Sequence, residues 1–239
     1  MKIDVCFSPA LYASYPVETQ NTVVIVVDIF RATTSMCAAF QNGVERIIPV
    51  ASVEEAKDYK SKGYLVGAER NVKRCDFADF GNSPFDYTPE KVAGKEIVFT
   101  TTNGTQAIET ASDCSELVIG SFSNISTLVD FCVAAKKDVM VLCSGWNNRF
   151  NMEDTLFAGA VASLLLEKGF QLASDAATVA YDMWMQAKTN IRAYIDRTEH
   201  IQRLISNGLA DSVEYCLTFD TTPLVPIYDK EKKAIFKSF

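Results

Sequence analysis

The stretch Val23-Val-Ile-Val-Val-Asp-Ile-Phe-Arg-Ala-Thr-Thr-Ser35 indicates how this chain folds. Its first five residues are apolar and β-branched, a short continuous run that is typical of a strand covered on both faces in a parallel α/β sheet. A carboxylate, Asp28, then a guanidinium, Arg31, and three hydroxyl residues follow directly. Because ligands of such sheets bind beyond the carboxyl ends of the strands, the stretch predicts a strand that carries functional groups at its end.

Three more predicted strands, at 64–68, 97–99 and 139–142, also run into polar residues. The polar ends are Glu69 and Arg70, then residues 100–105, then residues 143–145. Caps and turns prefer the same residue types, so any one end alone could be an ordinary cap or turn. Four such ends together predict a shared site, and the unperiodic region 71–94 predicts a loop that belongs to it.

Length and composition favour a soluble α/β protein that acts on a small molecule. The 239 residues suit a single domain, with two packed halves, 1–137 and 138–239, as the alternative. The net charge of −7 disfavours nucleic acid and anionic membranes as partners. The start of the chain has no basic region followed by an apolar segment, and no apolar run approaches the ~20 residues of a membrane span. We therefore expect a cytoplasmic protein.

Cysteine and histidine usage disfavours a zinc site or a disulfide framework. The chain has seven cysteines, an odd number, without a Cys-x-x-Cys pair, and one histidine, His200. Cys143 follows a predicted strand, but a buried and unreactive thiol is the favoured interpretation.

A faint internal repeat indicates the topology. A shift of 71 residues aligns Asp28 with Phe99 and superimposes two segments that each read strand, polar turn, helix and strand. With helices predicted at 53–61 and 125–136, the repeat is a βαβα unit. Residues 224–228 and 234–236 predict a C-terminal hairpin. The predicted fold is a three-layer α/β arrangement around a largely parallel or mixed sheet. Hydroxyl residues open the helix in both copies, which predicts either ordinary caps or N–H groups that face an anion.

The C-terminal half adds two predicted helices. Residues 152–155 open a helix that Gly169 ends, and Glu153 and Asp154 are either caps favoured by the helix dipole or metal ligands. A long helix is predicted at 178–207, with an apolar face that is core or the contact of a homodimer. His200 lies on it, either as a satisfied core histidine or as a group that holds a substrate anion.

The residue types point to phosphoryl chemistry. Asp28, Glu69 and Asp154 are hard oxygen donors of the kind that suits Mg²⁺. Glu69, Glu153 and Asp154 are also candidates for a general base. Arg31 and Arg70 can pair with an anion through two bonds. The Gly-x-x-x-x-Gly-Lys, Gly-x-Gly-x-x-Gly and Gly-x-Ser-x-Gly motifs are absent from the sequence. A non-catalytic anion-binding module and a phosphotransferase with another acceptor are the alternatives.

Five motifs in series resemble the 2-phosphosulfolactate phosphatases. They are Val-Asp-Ile-Phe-Arg-Ala-Thr-Thr (27–34), Gly-Ala-Glu-Arg (67–70), Phe-Gly-Asn-Ser-Pro (80–84), Thr-Thr-Asn-Gly-Thr (101–105) and Asn-Met-Glu-Asp-Thr-Leu-Phe-Ala-Gly (151–159). The resemblance spans nearly the whole chain. It implies Mg²⁺-dependent hydrolysis of 2-phospho-3-sulfolactate to 3-sulfolactate and phosphate, a step towards coenzyme M.

The predicted site follows from the residues and the resemblance together. Candidate catalytic residues are Asp28, Arg31, Glu69, Glu153 and Asp154, with Asp28, Glu69 and Asp154 as Mg²⁺ ligands. Candidate substrate-binding residues are Arg31, Thr33, Thr34, Arg70, Asn82, Ser83, Thr101, Asn103, Gly104, Thr105, Ser144, Gly145 and His200.

Overall fold

The computed structural model describes residues 1–238. The strands are β1 (Lys2–Cys6), β2 (Thr22–Val27), β3 (Arg46–Pro49), β4 (Leu65–Arg70), β5 (Lys73–Arg74), β6 (Glu96–Thr100), β7 (Glu116–Gly120), β8 (Asp138–Cys143), β9 (Gln171–Leu172), β10 (Pro226–Asp229) and β11 (Ala234–Lys237). The helices are α1 (Pro9–Tyr12), α2 (Ala32–Gln41), α3 (Val53–Ser61), α4 (Pro89–Val92), α5 (Gly104–Thr110), α6 (Ile125–Ala135), α7 (Met152–Glu167), α8 (Asp175–Ala187), α9 (Ile191–Ile195), α10 (Glu199–Ser206) and α11 (Ala210–Cys216).

These strands of residues 1–238 form one mixed sheet in the order β5-β4-β6-β3-β11-β10-β7-β2-β8-β1-β9. Strands β4, β6 and β3 are parallel to one another, as are β7, β2, β8, β1 and β9. The hairpin β10–β11 pairs antiparallel with β7 on one side and β3 on the other. The two parallel blocks therefore run in opposite directions. The predicted α/β class, mixed sheet and C-terminal hairpin are confirmed, whereas the central place of the hairpin was not predicted.

The apolar run Val23–Val27 lies in strand β2, and all six residues of this strand are buried. Alternate side chains enter two different cores. Val23, Ile25 and Val27 pack with residues of α6, α7 and α8, while Val24 and Val26 pack with residues of α2 and α5. Helices cover both faces of this strand, which is why it is a continuous apolar run instead of an alternating one.

The internal repeat is present as topology. Units β2-α2-β3-α3 and β6-α5-β7-α6 have the same order of elements. Strand β2 of the first unit pairs in parallel with β7 of the second, and β3 pairs in parallel with β6. Each unit thus gives one strand to each block, as expected of two copies related by a two-fold rotation, with the C-terminal hairpin between them.

The polar ends of β2 and β6 do not lie side by side at one edge of a parallel sheet, as we expected. Strands β6 and β2 belong to opposed blocks, and four strands lie between them. A twist of about 20–25° per strand turns one block by roughly 100–125° relative to the other over these five steps. The carboxyl end of β2 and the start of α5 consequently meet, since a Cβ added to Gly104 would lie 3.0 Å from Asp28 Oδ2.

The prediction of one long helix at 178–207 was wrong. The structure has three separate helices there, α8, α9 and α10. Asn190 accepts a hydrogen bond from Ala193 N, and Thr198 accepts one from Ile201 N, so each side chain caps a new helix. The predicted apolar face still packs on the core, with Ala180, Ala187 and Ile195 buried. The homodimer and the number of domains stay predictions.

None of the helices in residues 1–238 combines the length and apolarity that a membrane crossing requires.

Candidate active site

A cleft of about 440 Å³, counting the solvent at its mouth, opens where β2, β4 and β6 end. It is lined by Asp28, Phe30, Arg31, Glu69, Asn71, Val72, Asn82, Thr101, Thr102, Asn103, Trp146, His200 and Arg203. Residues from six separate segments contribute to it. The carboxylates, guanidiniums and imidazole of this lining give the cleft both signs of charge.

Asp28 is the first residue after β2, and its carboxylate is held by the start of α2. Its Oδ1 accepts a hydrogen bond from Ala32 N at 3.2 Å, and the Thr33 hydroxyl bonds to both Asp28 N and Asp28 O. Within residues 1–238 no donor bonds to Oδ2. Burial raises the pKa of Asp28 to about 6, an effect that His200 and Ala32 N–H oppose and that Glu69 and Glu153 reinforce. The carboxylate is therefore fixed by one oxygen and open at the other.

Arg31 precedes α2 and lies at the floor of the cleft. Its side chain belongs to a residue only 3% exposed, and its Nη1 has no hydrogen-bond partner in residues 1–238. Burial lowers the pKa of this guanidinium. Two acceptors that also line the cleft, Asn82 Oδ1 and Thr101 Oγ1, are likewise buried without a partner. Buried polar atoms are nearly always satisfied, so this concentration of free atoms marks a place for a polar ligand.

Glu69 is the penultimate residue of β4 and borders a strained turn. Asn71 and Val72, with φ of 54° and 69°, form the two-residue connection to β5. Glycine is favoured at such positions, and a β-branched residue there is strained. Val72 N donates to Glu69 Oε1, which fixes one carboxylate oxygen. The Arg70 guanidinium donates to Glu69 O and Thr100 Oγ1, so it braces two strand ends and does not line the cleft.

Asp154 anchors three segments of the chain through hydrogen bonds to both of its carboxylate oxygens, and its predicted role as a metal ligand stays a prediction. Its Oδ1 accepts from Ile29 N at 2.8 Å, and its Oδ2 accepts from Gly145 N at 3.1 Å and Asn151 Nδ2 at 2.9 Å. Burial, with Asp28 and Glu153 next in effect, raises the pKa of Asp154 well above its usual range, and the N–H donors oppose this. Both oxygens are occupied, and the residue ties the ends of β2 and β8 to the start of α7.

Glu153 and His200 form a buried pair beside the cleft. His200 Nδ1 lies 2.6 Å from Glu153 Oε1, and the Glu153 side chain is 1% exposed. A carboxylate can only accept, so Nδ1 carries the proton and Nε2 is the ring nitrogen left for the cleft. The Phe30 ring packs edge-on against the imidazole at 5.8 Å. His200 thus lines the cleft, and Glu153 orients it from behind.

Trp146 and Arg203 line the cleft and were not among the predicted residues. The Arg203 guanidinium lies over the Trp146 ring, 4.1 Å from its centroid, and the Arg149 guanidinium also lies over this ring, at 4.6 Å. Arg203 follows His200 by three residues on α10, a spacing that places both on one helix face. This spacing was already readable in the predicted helix at 178–207, which contains both residues. Phe30, Asn71, Val72 and Thr102 were also missed.

The structure gathers seven of the predicted residues at the cleft, and the others serve the fold around it. The seven are Asp28, Arg31, Glu69, Asn82, Thr101, Asn103 and His200. Hydroxyls that we expected to bind substrate bond to the backbone instead: Thr33 to Asp28, Thr34 to Ile29, Thr105 to Thr101. Ser83, Gly104, Ser144 and Gly145 also lie outside the lining.

The expected amide cradle at the start of α2 is not available as predicted. Ala32 N donates to Asp28 Oδ1 and Thr33 N donates to Asp28 O, while Ser35 N donates to Arg31 O. These N–H groups are used by the turn that positions Asp28, which leaves the Arg31 side chain as the anion donor at this strand end.

Within residues 1–238 no three carboxylate, histidine or cysteine side chains group as ligands of one metal ion. Of the predicted ligands Asp28, Glu69 and Asp154, the last accepts N–H donors with both carboxylate oxygens. Asp28 and Glu69 each keep one carboxylate oxygen without a donor. A cleft that joins such oxygens to unpaired arginines is typical of sites for phosphate esters.

Comparison with known proteins agrees with this class of site. The model of the family described as 2-phosphosulpholactate phosphatase matches residues 7–231. Proteins named probable 2-phosphosulfolactate phosphatase from Thermotoga petrophila and Thermotoga maritima are 39% and 38% identical to the chain, over 94% of both sequences. A protein of the same name from Clostridium novyi is 34% identical over 97% of the chain and 99% of its own length. The chain belongs to the 2-phosphosulfolactate phosphatase family, whose named activity is that of a phosphoric monoester hydrolase.

Proposed function

We propose that the protein is a Mg²⁺-dependent phosphatase that hydrolyses 2-phospho-3-sulfolactate, or a similar phosphorylated 2-hydroxy acid, to the hydroxy acid and phosphate. The observation that carries the proposal is the buried, unpaired Arg31 Nη1 in a cleft that also contains the free oxygens of Asp28 and Glu69. A buried cation without a partner is costly unless an anion completes the site. Family membership supports a phosphate ester as that anion.

The donor set fits Mg²⁺. This ion keeps several waters and is commonly held by one or two carboxylates together with substrate phosphate. Asp28 and Glu69 supply two such carboxylates, each fixed by one hydrogen bond and free at its second oxygen. When bound, the ion would neutralise phosphoryl charge and lower the pKa of a bound water. Asp154, which we predicted as a third ligand, already accepts three N–H donors, and its place in this set stays a prediction.

The chain's own residues would then bind and orient the ester. Arg31 can pair with two oxygens of the phosphoryl group through its planar fork, and Asn82 and Thr101 offer polar atoms beside it. Glu153 holds the His200 ring through Nδ1, which leaves Nε2 as the ring nitrogen that can hydrogen-bond to the ester. Phe30 and Val72 contribute apolar surface that restricts water at the site.

The free carboxylate oxygens weigh against a non-catalytic anion-binding module. Without a cation they would repel the ligand that Arg31 attracts, since like charges in a low-dielectric cleft interact strongly. Within the proposal, the cytoplasm is the compartment of this enzyme, because all seven cysteines are free. A role towards coenzyme M follows if the sulfonated ester is the substrate.

Phosphate release from a panel of esters tests the proposal. The panel contains 2-phospho-3-sulfolactate, 2-phospholactate and glycerol 2-phosphate, each assayed with Mg²⁺ and with EDTA. We expect Mg²⁺-dependent release from the first substrate. Asp28→Asn should abolish this release, and Asp58→Asn, on the exposed face of α3, serves as the matched control. Activity that is equal in EDTA would refute the metal, and transfer of phosphate to an added alcohol in place of water would indicate a phosphotransferase.

A further inference from the structure

We propose that Arg203, stacked on Trp146, is the specificity-determining residue that binds the sulfonate of the substrate. This inference rests on the proposed function and adds a second anion site to it. The phosphoryl group belongs with Arg31 at the floor of the cleft, while Arg203 lies on a different wall, contributed by α10. A substrate with two strong anions requires two separate cationic partners, and the cleft has them.

The guanidinium of Arg203 packs on Trp146, and we call the turn 146–149 that carries this ring the platform. Trp146 and Arg149 exchange two backbone hydrogen bonds, Trp146 N to Arg149 O at 2.9 Å and Arg149 N to Trp146 O at 3.0 Å. Between them, Asn147 and Asn148 have φ of 50° and 59°, which gives a tight two-residue turn. Asn147 N also donates to Asn103 Oδ1 at 3.0 Å, which ties the turn to another wall of the cleft. The platform that carries Trp146 is therefore hydrogen-bonded within itself and to Asn103.

The Arg203 guanidinium packs on the Trp146 ring, and its N–H groups remain available for a ligand. Its carbon lies 4.1 Å from the centroid of the ring, a favourable cation–π geometry. Within residues 1–238 no carboxylate pairs with its side chain, and its Nε is buried without a partner. The other unpaired arginine of the cleft, Arg31, has a buried free nitrogen in the same way. A stacked guanidinium with free in-plane N–H groups is preorganised for two-bond recognition of an oxyanion.

The environment favours a sulfonate over a carboxylate at this position. A guanidinium is more weakly hydrated than an ammonium, and the indole beneath it is apolar. A sulfonate spreads its charge over three oxygens and sheds water more readily than a carboxylate does. The Arg203–Trp146 pair thus suits the group that distinguishes 2-phospho-3-sulfolactate from 2-phospholactate, whose third carbon is a methyl group.

Steady-state kinetics on both esters test the assignment, with Arg203→Gln as the main variant. Loss of a charge-assisted two-bond contact should raise KM for the sulfonated ester by about 10- to 100-fold, with kcat little changed. Turnover of 2-phospholactate should not change, because it has no group for this site. Arg197→Gln is the matched control: it removes an exposed arginine that precedes α10 and should alter the kinetics of neither substrate. Arg203→Lys, which keeps the charge and loses the fork, should behave like Arg203→Gln in a weaker form.

A binding measurement separates this inference from the proposed function. Calorimetric titration with 3-sulfolactate and with lactate needs no turnover. We expect Arg203→Gln to lower the affinity for 3-sulfolactate by the same factor by which it raises KM. The affinity for lactate should not change. If the wild-type protein hydrolyses no ester of the panel, the proposed function fails while the titration still decides the role of Arg203. Three results would each overturn the assignment. The first is an equal loss of kcat/KM on both esters. The others are an unchanged affinity of the variant for 3-sulfolactate, and no binding of 3-sulfolactate to the wild-type protein.

Discussion

Replacement of Asp154 by asparagine tests whether this residue is an anchor or a metal ligand. Its two oxygens accept three N–H donors, two of them from the backbone at Ile29 and Gly145. Asparagine has the same shape but only one acceptor oxygen. In either orientation its NH₂ group faces a backbone N–H, so a buried donor is left without an acceptor. With about 1–3 kcal/mol for the orphaned donor and about 1 kcal/mol for the lost hydrogen bond, we expect a loss of about 2–4 kcal/mol.

Thermal and urea unfolding, each in Mg²⁺ and in EDTA, measure this loss. For a chain of this length the expected decrease in Tm is about 5–15 °C. The decrease should be the same with and without Mg²⁺, because the anchor does not depend on the ion. Asp58→Asn controls for the loss of one negative charge at an exposed position. A variant that unfolds like the wild-type protein in EDTA but no longer gains stability from Mg²⁺ would show that Asp154 is a ligand and refute the reasoning.

Three further predictions follow from single side chains. Asp28→Asn should be inactive, yet in EDTA at pH 7.5 it should be more stable than wild type by about 1–3 kcal/mol. Burial raises the pKa of Asp28 to about 6, so the wild-type protein loses stability as the pH rises through that value, whereas the variant does not. The gain should shrink at pH 5, and a variant less stable than wild type in EDTA would contradict it. Arg31→Lys should lower kcat/KM by at least about tenfold with an unchanged Tm, since an ammonium cannot replace the planar fork; a silent substitution would mean that Arg31 does not touch the substrate. Native protein should expose about one fast-reacting thiol to Ellman's reagent, that of Cys75, because the other cysteines are buried; Cys75→Ser should remove this signal, and persistence of the signal would refute the assignment.

The position of His200 gives a separate prediction about mechanism. His200→Gln keeps a polar group near Glu153 but removes the titrating ring. We expect a modest decrease in activity through a higher KM, with Mg²⁺-dependent hydrolysis retained. Steady-state kinetics check this, and circular dichroism confirms that the variant is folded. Complete loss of kcat in a folded variant would instead make His200 the general acid, the general base or the nucleophile.

The residues at the strand ends could be predicted from the sequence, whereas the order and direction of the strands in the sheet could not. Strand β2 and its polar end were predictable because a short apolar run of β-branched residues favours a buried strand over a helix. Asp28, Arg31 and Glu69 could be found from their place after strands. Local sequence does not encode the register in which distant strands pair, so the opposed blocks could not be predicted.

The roles of individual side chains depended on contacts that span the chain. Asp154 accepts from Ile29, which lies 125 residues away, and a motif alone does not reveal that both its oxygens are in use. Arg203 was missed although the predicted helix at 178–207 already placed it on the same face as His200, because no strand end or motif pointed to it. The helix breaks were missed for a different reason: the caps at Asn190 and Thr198 were present in the sequence, but a continuous apolar stripe favoured one long helix over three short ones.

The central place of the hairpin β10–β11 has a consequence for synthesis of the chain. The ribosome makes residues 226–237 after the nine other strands, yet they lie between β3 and β7 in the finished sheet. Until they emerge, β3 and β7 each present an unpaired row of N–H and C=O groups, which is the kind of edge that captures strands from other molecules. A nascent chain, or one shortened before residue 226, is therefore vulnerable to aggregation at these two edges.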